Sequence, residues 1–147
     1  MSFEYRNGNL FTQPNLENIV CTVNGVGVMG KGIALQTKKL FPDSEKFYLE
    51  NLQIMHPGTT VTLKQEAPNP NIIFAVTKRH WKHPSQIEWV ELILMHLRVE
   101  YIDTTSVVYL PPLGAGNGAL DKQKVVDLAR TYLSNCKATF IMIDNKE

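Results

Sequence analysis

Two glycine-rich stretches carry the residue types best suited to chemistry in this chain. The first, GVGVMGKG at residues 25–32, follows the β-branched apolar run Asn18–Asn24 and leads into the helix-like GIALQTKKLF. Gly25, Gly27 and Gly30 satisfy G-x-G-x-x-G, and Gly25 to Lys31 satisfies G-x-x-x-x-G-K. Neither pattern is complete. A magnesium-binding P-loop needs Ser or Thr after its lysine, where Gly32 stands. A dinucleotide fold needs an acidic residue at the end of the next strand, whereas Asp43, Glu45 and Glu50 fall in an expected helix. The physical content survives: backbone N–H groups at a helix N-terminus, reinforced by the helix dipole, favour an anion. The alternative is a tight turn with no ligand. Against it stand four glycines in eight residues, which cost stability unless something must approach the backbone closely.

The second stretch, PPLGAGNGALD at residues 111–121, repeats the arrangement after another strand-like run. Gly114, Gly116 and Gly118 alternate with small residues, which suits a backbone wrapped around phosphate or ribose oxygens. Two such loops on one side of a sheet imply a cleft that grips an anionic ligand from both sides, and a nucleotide diphosphate with two sugars fits. Neither loop contains a magnesium carboxylate set, so backbone amides are expected to hold the ligand, with no metal and no cofactor.

The elements that must position these loops are legible from periodicity. Phe3–Arg6 reads as an edge strand and Asn18–Asn24 as a buried one; Thr59–Leu63, Asn71–Val76, Ser106–Leu110 and Thr139–Ile143 follow. Gly32–Phe41 reads as a helix ending before Pro42, and Asp43–Asn51 as a second one capped by Asp43 or Ser44. Ser85 and Glu88 form an S-x-x-E capping box for a helix whose buried face carries Ile87, Val90, Leu94, Leu97 and Tyr101. A last helix is expected from near Asp121 to about Ser134, with Val125, Leu128, Ala129 and Tyr132 as its stripe and Asn135 as its stop. Strands alternating with helices imply a mostly parallel or mixed sheet covered on both faces, with ligands at the carboxyl ends of the strands.

Composition bounds the function. The 147 residues suit a single domain, and 15 Lys+Arg against 14 Asp+Glu leave a formal charge of +1, which excludes holding nucleic acid by bulk charge alone. No apolar run approaches the roughly 20 residues of a membrane span, and the first ten residues lack the charged start and apolar core of a signal peptide. Cys21 and Cys136 each read as a buried thiol in a strand-like run, in a reducing and therefore cytoplasmic setting.

The stretch Asn18–Asn24 followed by GVGVMGKGIALQ, with PPLGAGNGALD later, resembles the ADP-ribose-binding macrodomain family over nearly the whole chain. Within it, MGKGIALQ, the TKRHW block at residues 77–81 and the GNG-x-LD ending are similar to the DarG-type antitoxin macrodomains, which remove ADP-ribose from thymidine in DNA. The resemblance implies one three-layer α/β/α macrodomain over residues 1–147, with a central mixed sheet flanked by helices.

It also implies roles. Asn24, Met29, Gly30, Lys31, Gly32, Ile33 and Ala34 would meet the distal ribose, and Gly114, Ala115, Gly116, Asn117 and Gly118 would wrap the diphosphate and that ribose. Leu10, Thr77, Pro112, Leu113 and Leu120 complete the implied ADP-ribose-binding set. Where many macrodomains use an aspartate to read the adenine amino group, Asn9 stands, as in the DarG-type branch; its amide oxygen can still accept. Lys78 and Asp121 are the implied catalytic residues, acting at the anomeric carbon of the distal ribose. An aspartate can stabilise oxocarbenium-like charge or accept a proton, and a lysine can donate a proton or attack the opened sugar. Without the resemblance, Lys78 reads as a solvated lysine after a strand, and Asp121 as a helix N-cap.

The block from Thr77 to His83 gathers Lys78, Arg79, Lys82, His80, Trp81 and His83, which could meet a nucleic-acid backbone transiently and stack a base, or form a solvated loop over a packed Trp81. With no second ligand pair, His80 and His83 make no zinc site. Two departures from the DarG type stand out: Lys122 follows Asp121 where an aromatic is usual, and the sequence lacks the additional C-terminal region of those antitoxins, so toxin neutralisation by protein contact does not follow from the resemblance. The leading expectation is a monomeric hydrolase that frees ADP-ribose from thymidine in DNA. Its alternatives are a non-catalytic ADP-ribose-binding module and a hydrolase of ADP-ribose 1″-phosphate or of protein esters.

Overall fold

The apolar run Asn18–Asn24 is buried on both sides because its alternate residues feed two different cores. Ile19, Cys21 and Val23 pack into one, and Val20 into the other. In the computed structural model, which describes residues 3–145, this run is strand β2 (Asn18–Asn24). Its partners are β1 (Phe3–Asn7), β3 (Thr60–Leu63), β4 (Asn71–Lys78), β5 (Val107–Leu110) and β6 (Thr139–Asp144). The described residues form one six-stranded sheet in the order β1-β6-β5-β2-β4-β3, parallel throughout except for the antiparallel edge strand β3.

Four α-helices among the described residues cover the two faces. Ala34 of α1 (Gly32–Leu40) and Tyr48 of α2 (Asp43–Glu50) pack with Cys21, Phe74, Val76 and Ile143. On the other face α3 (Ile87–Tyr101) brings Val90, Ile93, Leu94 and Leu97, and α4 (Lys122–Leu133) brings Val125, Val126, Ala129 and Leu133, onto Ile73, Ala75, Leu110 and Phe140. This is the three-layer α/β/α arrangement with a mixed sheet that the sequence implies. Among the described residues no helix is long and apolar enough to cross a membrane.

Local details differ from the sequence reading where a side chain finds a more distant partner. Ser85 does not cap α3: Gln86 occupies the N-cap without a side-chain bond, and the Ser85 hydroxyl donates to the Thr77 carbonyl instead. Nor do Asp43 or Ser44 cap α2, which starts from Pro42 already in helical conformation; buried Ser44 donates its N–H to the Phe41 carbonyl. Cys136 lies in the turn between α4 and β6 rather than in a strand, though it is buried. Cys21 is fully buried in β2, and burial pushes its thiol up to about 12, so it is an inert core residue.

Candidate active site

The carboxyl ends of β2, β4, β5 and β6 open into a cleft of about 670 Å³. The first glycine loop is built on Asn24. Its Oδ1 accepts from the N–H groups of Val26 and Val28 at 3.0 and 3.3 Å, and its Nδ2 donates to the Val28 carbonyl at 2.9 Å. Tyr48, stacked on Phe74, fixes that asparagine by donating to Oδ1 at 2.9 Å while accepting from the Gly27 N–H at 3.1 Å. The polar atoms of Asn24 thus fold the loop, while the residue also lines the cleft. Gly25 donates its N–H to the Lys78 and Arg79 carbonyls at 3.0 and 3.1 Å, which fastens the loop to the end of β4.

The second loop closes on itself. Leu120 N–H donates to the Gly114 carbonyl at 2.9 Å, and a side chain at Gly118 would overlap that same carbonyl oxygen. Gly116, by contrast, has nothing within 4 Å of where a Cβ would be, so it is the open point of the loop. Ser85 joins loop to strand: its N–H donates to the Gly118 carbonyl at 2.9 Å and its hydroxyl to Thr77. Sequence reasoning missed this tie because S-x-x-E spacing suggested a local cap.

Lys78 sits where these parts meet. The β2–β4 pairing slips by one residue, so that Val23 pairs with Val76 and Asn24 with Lys78, and this bulge sets Lys78 at the strand end opposite Asn24. Lys78 is only 9% exposed, yet it lines the cleft. Its Nζ donates to the carbonyls of Trp81 and Asn117, each at 3.1 Å. Neither partner carries charge. Burial, and secondly the positive charge of Lys31, hold its pKa below the ordinary lysine value. Lys31 lines the same cleft from the start of α1.

Most of the sequence-assigned residues come together. Asn24, Gly30, Lys31, Gly32, Ile33, Ala34, Thr77, Lys78, Pro112, Gly114, Ala115, Gly116, Asn117 and Gly118 all line the cleft. Others are not among its lining. Leu10, Met29 and Leu113 are buried in the core, and Leu120 packs against it. Asn9 starts a 3-10 turn at Leu10–Thr12, its side chain accepting from the Phe11 N–H at 2.9 Å. Asp121 caps α4, with Oδ1 accepting from the Gln123 N–H at 3.2 Å, and lies in a shallow hollow beside Lys124 and Asp127.

The cleft also takes residues that the sequence did not single out: Thr22, Val23, Val28, Pro111, Asp144 and Asn145, together with Lys122, noted only as a departure. Asp144 ends β6, so the rule that strand carboxyl ends line the cleft would have reached it. At the opposite end Trp81 is 45% exposed and borders the cleft, with the Lys82 ammonium 5.2 Å from its ring centroid and the His80 ring 5.4 Å away. The His80 Nδ1 accepts from the Lys82 N–H at 3.1 Å. Among the described residues no group of three or more His, Cys, Asp or Glu is placed to hold a metal.

No family model matches the chain. Among curated proteins it is similar to the DNA ADP-ribosyl glycohydrolase of Thermus aquaticus, at 45% identity over 119 residues, which is 77% of this chain and 32% of the relative. The chain spans about a third of the length of the curated relatives it matches. Among solved structures, the macrodomain of Thermus aquaticus DarG matches with a TM-score of 0.84 and 33% identity, covering 98% of both chains. Thermosipho africanus DarTG, solved in complex with ADP-ribose, matches with a TM-score of 0.84 and 28% identity over 92% of this chain and 39% of that one. With the two glycine loops, the sheet order and Lys78 at the end of β4, these likenesses establish that the chain belongs to the macrodomain family, among the DarG-type macrodomains.

Proposed function

We propose that the chain binds ADP-ribose in this cleft and hydrolyses the bond between the distal ribose and a nucleic-acid base, with ADP-ribosylated thymidine in DNA as the substrate. The observation that carries this reading is Lys78. A neutral amine has two hydrogens, and two carbonyl oxygens stand ready to accept them, which leaves the nitrogen lone pair for an electrophile in the cleft. Desolvation favours that neutral form. The amine attacks the anomeric carbon as its bond to the base breaks, and the base departs with one amine proton; the glycosylamine then opens to an imine as the ring oxygen takes the second, and water hydrolyses that imine to release ADP-ribose and regenerate Lys78.

Asp121 supplies a carboxylate at the junction of the second loop and α4. Catalytic contacts tighten in the substrate complex, so capping α4 is compatible with stabilising positive charge on the sugar. The curated relatives named DNA ADP-ribosyl glycohydrolase support the DNA reading over the phosphate and ester alternatives. So does the local charge: Lys31 and Lys78 line the cleft, the exposed Arg79 and Lys82 flank them in the segment after β4 that carries Trp81, and none of the four is among the ion pairs of the described residues. With Trp81 beside them, they offer a phosphate-binding and base-stacking surface that a net charge of +1 conceals. Release of ADP-ribose from a thymidine-modified oligonucleotide, and its loss in Lys78→Ala, tests the proposal.

A further inference from the structure

The segment between β4 and α3 turns tightly at residues 80–83, and its own groups hold the turn twice. The His83 N–H donates to the His80 carbonyl at 3.1 Å, and the Lys82 N–H donates to His80 Nδ1, also at 3.1 Å. That closure gathers three rings: the Trp81 ring lies 5.4 Å from His80 at a 31° tilt, and His83 lies 5.5 Å from His80 at 39°. Trp81 belongs to neither hydrophobic core, and 45% of it stays exposed. A tryptophan that served only to pack under the loop would be covered, so part of this ring is left for a partner. Lys82, whose ammonium lies 5.2 Å from the ring centroid, is exposed, as is Arg79. Rings interleaved with cations suit a nucleic-acid strand: the cations meet its phosphates and the rings its bases.

The hydrogen bonds of Lys78 say which base. Its Nζ donates to the Trp81 carbonyl at 3.1 Å, so this turn stands one hydrogen bond from the amine that attacks the sugar. The thymine leaves from the attacked carbon and therefore sits beside Lys78. Trp81 lines the same cleft, within a side chain's length of that leaving base, and its ring meets what comes next along the strand. The turn is already closed by its own hydrogen bonds, which lowers the ordering cost of stacking on it.

We infer that Trp81, backed by His80, stacks the base of the nucleotide next to the modified thymidine, so that the protein recognises a strand and not the modified nucleoside alone. The inference rests on the DNA reading above and narrows it to one ring and one neighbouring base. Every base has a π-face, so the contact requires a base at that position without requiring a particular one. The carbonyl of Trp81 holds Lys78, and substitution of the side chain keeps that carbonyl.

Release of ADP-ribose from three oligonucleotides, each with a single ADP-ribosylated thymidine, tests this. One is intact, one is abasic at the 5′ neighbour and one is abasic at the 3′ neighbour; an abasic residue keeps its sugar and phosphate, so only the base is lost. In the wild type, kcat/KM is expected to fall about fivefold or more for at least one abasic substrate. In Trp81→Ala, and in Trp81→Leu, which keeps bulk without a π-face, intact and abasic substrates should agree within about twofold. Trp81→Phe should restore most of the difference. Comparing substrates within each protein cancels any change at Lys78 or in folding. Equal turnover of all three substrates by the wild type overturns the inference and leaves the DNA reading standing. A full abasic penalty that persists in both Trp81→Ala and Trp81→Leu does the same. No release from any of the three overturns the DNA reading as well.

Discussion

The ammonium of Lys78 donates to the carbonyl oxygen of Asn117 at 3.1 Å, across 39 positions of sequence. The end of β4 and the second glycine loop are therefore one unit: the loop expected to wrap a diphosphate also holds the amine expected to attack the sugar. Ser85 reinforces the join from the other side, through the Thr77 and Gly118 carbonyls.

Burial, and secondly the Lys31 charge, are expected to set the pH at which Lys78 works. Burial and the Lys31 charge both lower the Lys78 pKa from the ordinary 10.5, so the rate, which requires the neutral amine, falls as pH drops through that lowered value. Lys31→Met removes a like charge, raises the Lys78 pKa and moves this limb of the profile to higher pH. The expected result in single-turnover assays is a slower reaction at neutral pH that recovers in alkaline buffer. A limb that stays in place shows that Lys31 does not tune Lys78.

Asp121 has a capping role and a proposed charge role, and two substitutions separate them. Asp121→Ala should cost about 1 kcal/mol of stability through loss of the cap, whereas Asn caps about as well as Asp. If the carboxylate stabilises charge on the sugar, Asp121→Asn melts like the wild type yet turns over at least about tenfold more slowly. Wild-type turnover in Asp121→Asn would reduce Asp121 to a cap.

Glycines of the second loop divide between folding and ligand access. Gly118→Ala places a methyl group on the Gly114 carbonyl oxygen, so the loop must shift, and both the melting temperature and ADP-ribose affinity should fall. Gly116→Ala meets nothing within 4 Å and should leave stability within about 0.5 kcal/mol of the wild type while weakening ADP-ribose binding. Thermal melts beside titrations distinguish the two; unchanged affinity in Gly116→Ala would move the diphosphate away from this loop.

The exposed cations beside Trp81 should matter for DNA and not for free ADP-ribose. Arg79→Glu with Lys82→Glu is expected to raise the KM for a modified oligonucleotide and to flatten its salt dependence, each lost phosphate contact removing about 0.7–0.9 from the logarithmic slope. Affinity for ADP-ribose itself should change by less than about twofold. An unchanged salt slope would place the DNA strand elsewhere.

What the sequence made legible followed from patterns whose causes are local. β2 was readable because every residue from Ile19 to Val23 is apolar or β-branched and both its faces are covered. α3 was readable from Val90, Leu94 and Leu97 on one face. Both glycine loops were found because strand ends of a parallel sheet form the ligand edge, whereas Lys78 stood out only through the family resemblance. The errors came from contacts that cross the chain. Ser85 has the spacing of a cap, but Thr77, eight residues back, takes its hydroxyl. Met29 and Leu113 stand beside cleft-lining glycines with their side chains in the core, a direction that adjacency in sequence does not fix. Asp144 went unassigned although it ends β6, because the rule for strand carboxyl ends was not carried to the last strand.

The most direct test of catalysis by Lys78 is turnover of an oligonucleotide carrying ADP-ribosylated thymidine, with wild type beside Lys78→Ala and Lys78→Arg. Release of free ADP-ribose by the wild type is expected, with a loss of about 10²-fold or more in both variants, since arginine keeps a cation but cannot supply a neutral amine. ADP-ribose binding without release by the wild type would contradict the DNA hydrolase reading. Wild-type turnover in Lys78→Ala would contradict the role of Lys78.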